Sequence, residues 1–283
     1  MSEQRRCNRF ALPRRRPDRY GLRENGCRPI PARRIVTQTT PEQLDLDAAQ
    51  ANGLILAVEQ SSTTASIALM QDGTVVAGRE WRARTDGSLF DAVPEILADR
   101  AKLDDIGVFA VGLGPGSFAG LRTAVAAAQG YALPDHRSVF GVSSGDALAL
   151  GVARDAKQSR ITVVGNARRG LLWHAPFESA NGDIRRLADW QLSTPAAFAA
   201  DLPADTLVVG PDWDQLAEVL QSTLDPSIAR VEEPRAPAAA DVARLAYDRI
   251  RKGVRSEPLV PIYLHPAVFV APRFPGAAGS PPA

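Results

Sequence analysis

Apolar residues first gather into strand-length runs at Leu54. Leu54–Glu59 is a continuous apolar stretch closed by an acid, the pattern of a strand buried on both faces. Ser66–Met70 and Thr74–Trp81 flank Gln71-Asp72-Gly73, and Asp-Gly between apolar runs predicts a hairpin. The body should therefore open as a three-strand antiparallel meander. The period then changes. Leu89–Ala101 carries apolar residues at 89, 93, 96, 97 and 101, which predicts an amphipathic helix restricted or kinked at Pro94. Val108–Gly112 reads as a buried strand, Gly114–Gly120 as a Gly/Pro turn, and Ser117–Leu133 as an alanine-rich helix. Ser138–Val142 and Ser144–Val152 follow as strand and helix.

After a polar link at 154–160 the order begins again. Ile161–Gly165 and Leu171–Phe177 read as strands joined by an Asn166–Gly170 turn. A third strand is expected at Leu187–Leu192 and a helix at Pro195–Ala200. Thr206–Gly210 reads as a strand, Trp213–Leu220 as a helix, and Asp241–Lys252 as a helix with Gly253 at its C-cap. The repeated ββ-β-α-β-α-β order predicts an α/β fold of two RNase H-like subdomains in tandem, residues 54–155 and 156–270. That is the actin-like, Hsp70-like, sugar-kinase-like (ASKHA) architecture. Residues 1–53 are expected to be a basic, disordered extension and linker, and 271–283 a disordered tail.

Composition changes the picture at the N-terminus. Across 283 residues, 45% hydrophobic and 23% charged is a globular balance, and no apolar run approaches the ~20 residues of a membrane helix. The net charge of +1 conceals an asymmetry: residues 1–34 hold eleven arginines against three acids, a charge of +8, and the remainder carries −7. The basic arm reads either as an RNA-phosphate contact or as an inert extension reaching upstream of the true start. Arg14-Arg15-Arg16 lacks the apolar stretch of an export signal. Cys7 and Cys27 cannot build a disulfide scaffold or a zinc cluster. His136, His174 and His265 lack i,i+4 spacing, so no metal site is expected.

The strongest local signal runs from Gly112 to Arg122, Gly-Leu-Gly-Pro-Gly-Ser-Phe-Ala-Gly-Leu-Arg. Gly114, Pro115 and Gly116 shape a strand-to-helix turn, and Ser117 is a natural N-cap. Such a turn can cradle an anion, or it can simply permit close packing. Its spacing is neither G-x-x-x-x-G-K-[ST] nor G-x-G-x-x-G. Gly120, Ala124, Ala127 and Ala128 leave a helix face of little bulk. Arg122 stands near the positive end of that helix, where the dipole gives it nothing, so a specific carboxylate or phosphate partner is expected.

This motif resembles the signature of the TsaB (YeaZ) family, paralogous to the TsaD glycoprotease-like (peptidase M22) family. Further matches fall in order: Leu54–Ser62 resembles ILAIDTS, Val93-Pro94 with Ile96-Leu97 resembles LLPxIxxLL, and Gly141–Ser144 resembles GVSSLEAL. Asn166–Gly170 resembles DARRGEVY, and Pro261–Leu264 resembles PxYLR. The resemblance spans roughly 54–270. It implies a cytoplasmic, non-catalytic subunit of bacterial tRNA N6-threonylcarbamoyladenosine synthesis. Such a subunit binds and activates TsaD, which transfers the threonylcarbamoyl group to adenosine 37 of tRNAs reading ANN codons. TsaE joins the complex, tRNA is met through it, and the free chain can form a homodimer. No cofactor is implied for the chain itself, with ATP or ADP conceivable only in the complex. The family's strand-end Asp is Glu59 here, its Thr is Gln60, its helix-opening His is Ser88, its motif Thr is Ala119, its second-half Asp is Asn166, and its final Arg is His265. The lengthened acid at 59 and the neutralised one at 166 weaken an autonomous ATP–Mg²⁺ site.

The resemblance implies that the two first-half helices meet TsaD. Leu89, Val93, Leu97, Gly120, Leu121, Ala124 and Ala128 are the interface candidates, unless they face the chain's own sheet. Gly114, Pro115, Gly116, Ser117, Phe118 and Arg122 are the candidates for a conformational or anion-binding loop. No residue is assigned a catalytic role. The competing reading is a metal-dependent glycoprotease-like hydrolase or an ATP-dependent phosphotransferase of the actin-like superfamily. Ser61–Thr64 read as a turn or as hydroxyl nucleophiles, Arg168-Arg169-Gly170 as a solvated turn or an anion site, His174 as structural, and Trp81, Trp173, Trp190 and Trp213 as core or near-core residues.

Overall fold

The computed structural model describes residues 53–83, 85 and 87–265, all within one compact unit spanning 43–283. The expectations for the basic arm, for the linker up to residue 52 and for the tail at 271–283 lie outside the described residues.

The first half runs β1 (Leu54–Glu59), β2 (Thr64–Gln71), β3 (Thr74–Arg82), α1 (Leu89–Leu97), β4 (Val108–Gly112), α2 (Phe118–Ala132), β5 (Ser138–Val142) and α3 (Ser144–Ala156). The second runs β6 (Arg160–Arg168), β7 (Leu171–Ala180), β8 (Asp183–Arg186), β9 (Gln191–Ser193), α4 (Pro195–Ala200), β10 (Leu207–Val209), α5 (Trp213–Thr223), β11 (Ala229–Arg230) and α6 (Ala239–Arg251). Sheet order is β3-β2-β1-β4-β5 in the first half and β8-β7-β6-β10-β11 in the second. Position by position these are the same order. The tandem RNase H-like architecture of the actin-like class is thus the observed fold.

Both faces of the first sheet are covered, which is why its inner strands are continuous apolar runs. Leu56, Val58, Ile67, Leu69, Phe109 and Val111 pack under α1 and α2. Their strand neighbours Ile55, Ala57, Met70 and Ala110 point the other way, against Ala147 and Leu150 of α3 and the apolar face of α6. The opposite side of α3, with Leu148, Ala149, Val152 and Ala153, meets Ile161, Val163, Trp173 and Phe177 of the second sheet. So α3 lies between the two sheets, with Ser144–Ala153 buried throughout. The outer face of the second sheet is closed by Phe198, Trp213, Leu216 and Leu220 of α4 and α5.

The β2–β3 turn is the predicted hairpin, with Asp72 and Gly73 both left-handed as a tight two-residue turn requires. Ser88 and Asp91 form a capping box that starts α1. The helix predicted to reach Ala101 stops at Leu97. Ala98 leaves helical geometry and Asp99 turns left-handed, yet the Ala101 amide still donates to Leu97 O at 3.1 Å. That fold-back returns Ala101 to the core, which preserves its apolar spacing without helix. Of the strand expected at Leu187–Leu192 only Gln191 and Leu192 are strand, in β9, while β8 lies just before the expected span. β8 pairs with Phe177–Ala180 and β9 with Leu172–His174, while the Leu187 amide donates to Pro176 O between them. One ten-residue β7 serves both short strands, so the chain must cross between its ends.

A buried ionic knot joins the halves. Asp146 of α3 accepts from Arg186 of β8 at 3.1 Å and from Arg249 of α6 at 2.7 Å, and Arg249 reaches on to Glu257 at 3.1 Å. Removing the shared acid leaves two half-buried guanidinium groups facing each other. Asp146→Ala is expected to destabilise the protein by about 2–4 kcal/mol, read as a lowered urea midpoint.

Candidate functional site

Two segments distant in sequence interlock at the C-terminal ends of β1 and β4. The β1–β2 turn, Gln60–Thr63, inserts against the glycine-rich loop that leads into α2. The Ser117 amide donates to Ser61 O at 2.6 Å. A side chain at Gly116 would overlap the Ser61 backbone, and one at Gly120 would overlap the Gln60 carbonyl. These glycines are therefore required by close approach of another backbone. Ser117 caps α2, its hydroxyl accepting the Gly120 amide at 3.3 Å. The Gly114–Pro115 peptide is cis. Behind it, the Gly114 amide donates to Ser144 Oγ at 2.9 Å, and the Gly114 carbonyl accepts the Ser144 amide at 2.8 Å and the Ser143 hydroxyl at 3.2 Å. The starts of α2 and α3 are thus both tied to one loop.

Glu59 lies beneath this junction and is fully buried. Its Oε1 accepts the Ser61 amide at 2.6 Å. Its Oε2, crowded over Gly112 beside Ser144 Oγ, has no hydrogen-bond partner. Burial raises the Glu59 carboxyl above its ordinary value; the contributions of the Ser61 and Ser144 hydroxyls oppose this but are smaller. Burial disfavours the charged form of this carboxyl, so its proton is held more tightly than in water. A phosphate entering the loop would face the Gln60 and Ser61 carbonyls and find the Ser117 amide already engaged. The residues present do not fit a nucleotide phosphate here, and the geometry supports the close-packing reading of the loop.

The second half meets the corresponding position differently. The Asn166 amide donates to Asp212 Oδ2 at 2.9 Å, and its side-chain amide donates to Gln215 Oε1 at 3.1 Å. Burial raises the Asp212 carboxyl, while Asn166 and Arg168 act in the opposite direction. Arg168-Arg169-Gly170 is a left-handed turn between β6 and β7, beside an open recess of about 380 Å³ floored by Leu172, Leu216 and Val219.

Of the interface candidates, Leu89, Val93, Leu97, Leu121, Ala124 and Ala128 are buried beneath α1 and α2 in the chain's own core, and Gly120 abuts Gln60. Phe90 of α1 and Leu133, which caps the C-terminus of α2, point outward, 59% and 70% exposed. Arg122 meets neither of its expected partner types among the described residues. Its guanidinium lies 4.1 Å over the Phe118 ring and its Nε donates to Tyr263 Oη at 3.2 Å. Tyr263 belongs to a C-terminal strap that also bonds Gly141 to Ser256 Oγ at 2.8 Å and Ile262 to Leu113 O at 2.8 Å. The strap ends with the His265 ring donating to Ala167 O at 2.5 Å. Sequence reasoning missed Tyr263 and Ser144 as partners of the loop, because 141 and 30 residues separate the bonded groups. His174 bonds Ser193 Oγ at 2.8 Å, and burial holds its imidazole below the ordinary value, a structural histidine.

The model of the family described as TsaD, tRNA N6-adenosine threonylcarbamoyltransferase, matches residues 87–262. The chain belongs to this family. Within the reach of the TsaD family it is similar to proteins named for tRNA threonylcarbamoyladenosine biosynthesis, TsaB. The Escherichia coli K12 protein is 29% identical over 219 residues, covering 74% of this chain and 94% of that one. The Haemophilus influenzae protein is 25% identical over 224 residues, covering 75% and 94%. Among solved structures, YeaZ from Pseudomonas aeruginosa superimposes with a TM-score of 0.66 at 25% identity, covering 75% of this chain and all of that one. The resemblance read from the motifs therefore extends over nearly the full length of these relatives. No helix among the described residues is long and apolar enough to cross a membrane, and no group of three or more His, Cys, Asp or Glu side chains is placed to hold a metal ion.

Two outcomes follow from the junction. The folded protein holds the Glu59 proton more tightly than the unfolded chain, whose value is near 4.5. Stability should therefore fall as pH rises from that value through the raised one. Glu59→Gln should flatten this slope and gain about 1–3 kcal/mol at pH 8, seen in melting curves across pH 4–9. Gly116→Ala should cost about 1–3 kcal/mol, because backbone rather than a flexible side chain must retreat.

Proposed function

We propose that this chain is a non-catalytic subunit of tRNA N6-threonylcarbamoyladenosine synthesis that binds and activates the TsaD enzyme in the cytoplasm. The observation that carries this reading is its similarity to the E. coli TsaB protein across 94% of that protein's length. The junction's chemistry agrees with a binding role. Its conspicuous glycines seat a turn of the same chain, and its buried carboxyl is shielded from any substrate. TsaE and tRNA would be met within the complex, and the partner surface could also pair two copies when TsaD is absent.

Phe90, Pro94 and Leu133 project from the α1–α2 layer into solvent, where large apolar side chains mark a docking surface. The buried residues of these helices would then support that face from below. Full-length chain co-expressed with TsaD from the same organism should purify as a stoichiometric complex, and tRNA modification by TsaD should depend on the chain. Phe90→Asp with Leu133→Glu should weaken the complex about tenfold or more while leaving the melting temperature unchanged, since both residues are exposed. A TsaD that modifies tRNA equally well without the chain would refute the proposal.

A further inference from the structure

Arg122 was expected to have an anionic partner, and the described part of the chain supplies none. Its neighbours are instead two aromatic rings. Phe118 and Tyr263 lie 5.2 Å apart and are 55% and 46% exposed. The guanidinium stacks on the first and donates Nε to the hydroxyl of the second. Those contacts fix the plane of the fork and leave its two terminal NH₂ groups without a carboxylate within 4.0 Å among the described residues. Phe118 and Arg122 stand on the first turns of a 15-residue helix, and Tyr263 follows the Ile262–Leu113 backbone bond. An oriented, unneutralised guanidinium between exposed aromatic rings has the composition of a binding hot spot.

We infer that the Phe118–Arg122–Tyr263 cluster is an anchor point for a protein partner, taking an Asp or Glu carboxylate flanked by apolar side chains. The carboxylate would engage both terminal nitrogens of Arg122, and its apolar neighbours would cover Phe118, Tyr263 and the exposed Val260 of the strap. An RNA strand is a poorer match. Backbone phosphates are held by several cations together, but α2 carries Arg122 as its single basic residue, and residues 256–265 contain neither lysine nor arginine. The cluster lies at the start of α2, and its residues are separate from the outward Phe90, Pro94 and Leu133. The inference borrows from the proposed function only the identity of a first partner to test.

Two measurements on the full-length protein decide it. The first is calorimetric titration with the same organism's TsaD, comparing wild type with Arg122→Gln and Arg122→Lys. The expected result is a 10- to 100-fold weaker affinity for Arg122→Gln, of the order set by a charge-assisted hydrogen bond, at an unchanged melting temperature. Lysine should fail to restore it, because it cannot make the planar two-point contact. The second measurement needs no TsaD. The Arg122 Nε–H resonance, assigned by its loss in Arg122→Gln, is followed during titration with acetyl-Leu-Glu-Phe-amide, its Gln counterpart, and oligouridylate of about ten nucleotides. The Glu peptide alone should shift it.

Binding of TsaD that Arg122→Gln leaves unchanged would overturn the anchor and spare the proposed function. A Glu-peptide shift with no TsaD binding would uphold the anchor and sink that function. A response to oligouridylate in place of the Glu peptide would overturn the protein-partner assignment in favour of RNA. Silence in both measurements would refute both readings.

Discussion

The approach of the Ser61 carbonyl to the Ser117 amide, at 2.6 Å, is the contact around which the first half is arranged. It can form only where no side chain stands at Gly116 or Gly120. Once it forms, the end of β1 is drawn under the loop, and Glu59 loses its access to water. The same loop sends the Gly114 carbonyl to the first residues of α3 and the Leu113 carbonyl to the strap. Two helix starts, a buried carboxyl and a chain segment more than a hundred residues away thus take their positions from one turn-on-turn contact. The orientation of Arg122 is a consequence, because Tyr263 arrives with the strap.

Internal duplication makes the asymmetry between the halves informative. The strand orders coincide, with Glu59 closing β1 and Asn166 near the end of β6, the strand in the same place of the second sheet. The first half buries a carboxyl with one oxygen unsatisfied, whereas the second uses an amide whose backbone N–H satisfies Asp212. In the first half the carboxyl is fully buried, and in the second the partly exposed Asp212 accepts the Asn166 amide through one oxygen.

Much of this fold can be read from local pattern. The Asp72-Gly73 hairpin, the doubly buried strands and the repeated element order all follow from rules that act over a few residues. Failures arose where a distant element decided the outcome. α1 ends at Leu97 because the chain must fold back to bury Ala101, and apolar spacing alone cannot distinguish that from another helical turn. The strand expected at Leu187–Leu192 is displaced, because β7 pairs at its two ends with β8, which ends at Arg186, and β9, which starts at Gln191. Length of the partner strand is not visible in the segment that pairs with it.

The candidate site was legible in its motif and illegible in its surface, for a physical reason. Periodicity detects the side of a helix that has been excluded from water, so Leu89, Val93, Leu97, Leu121, Ala124 and Ala128 stood out and proved to be core. The opposite side is exposed, and there Phe90 and Leu133 interrupt an otherwise polar or small-residue pattern and look like noise in one dimension. The same holds for Arg122. Its unfavourable place near a helix N-terminus signalled that something must stabilise it. That part of the stabilisation comes from two aromatic rings, one of them 141 residues away, could be known only once the strap was in place. A binding protein built on this fold therefore hides its specificity in the residues that sequence periodicity discards.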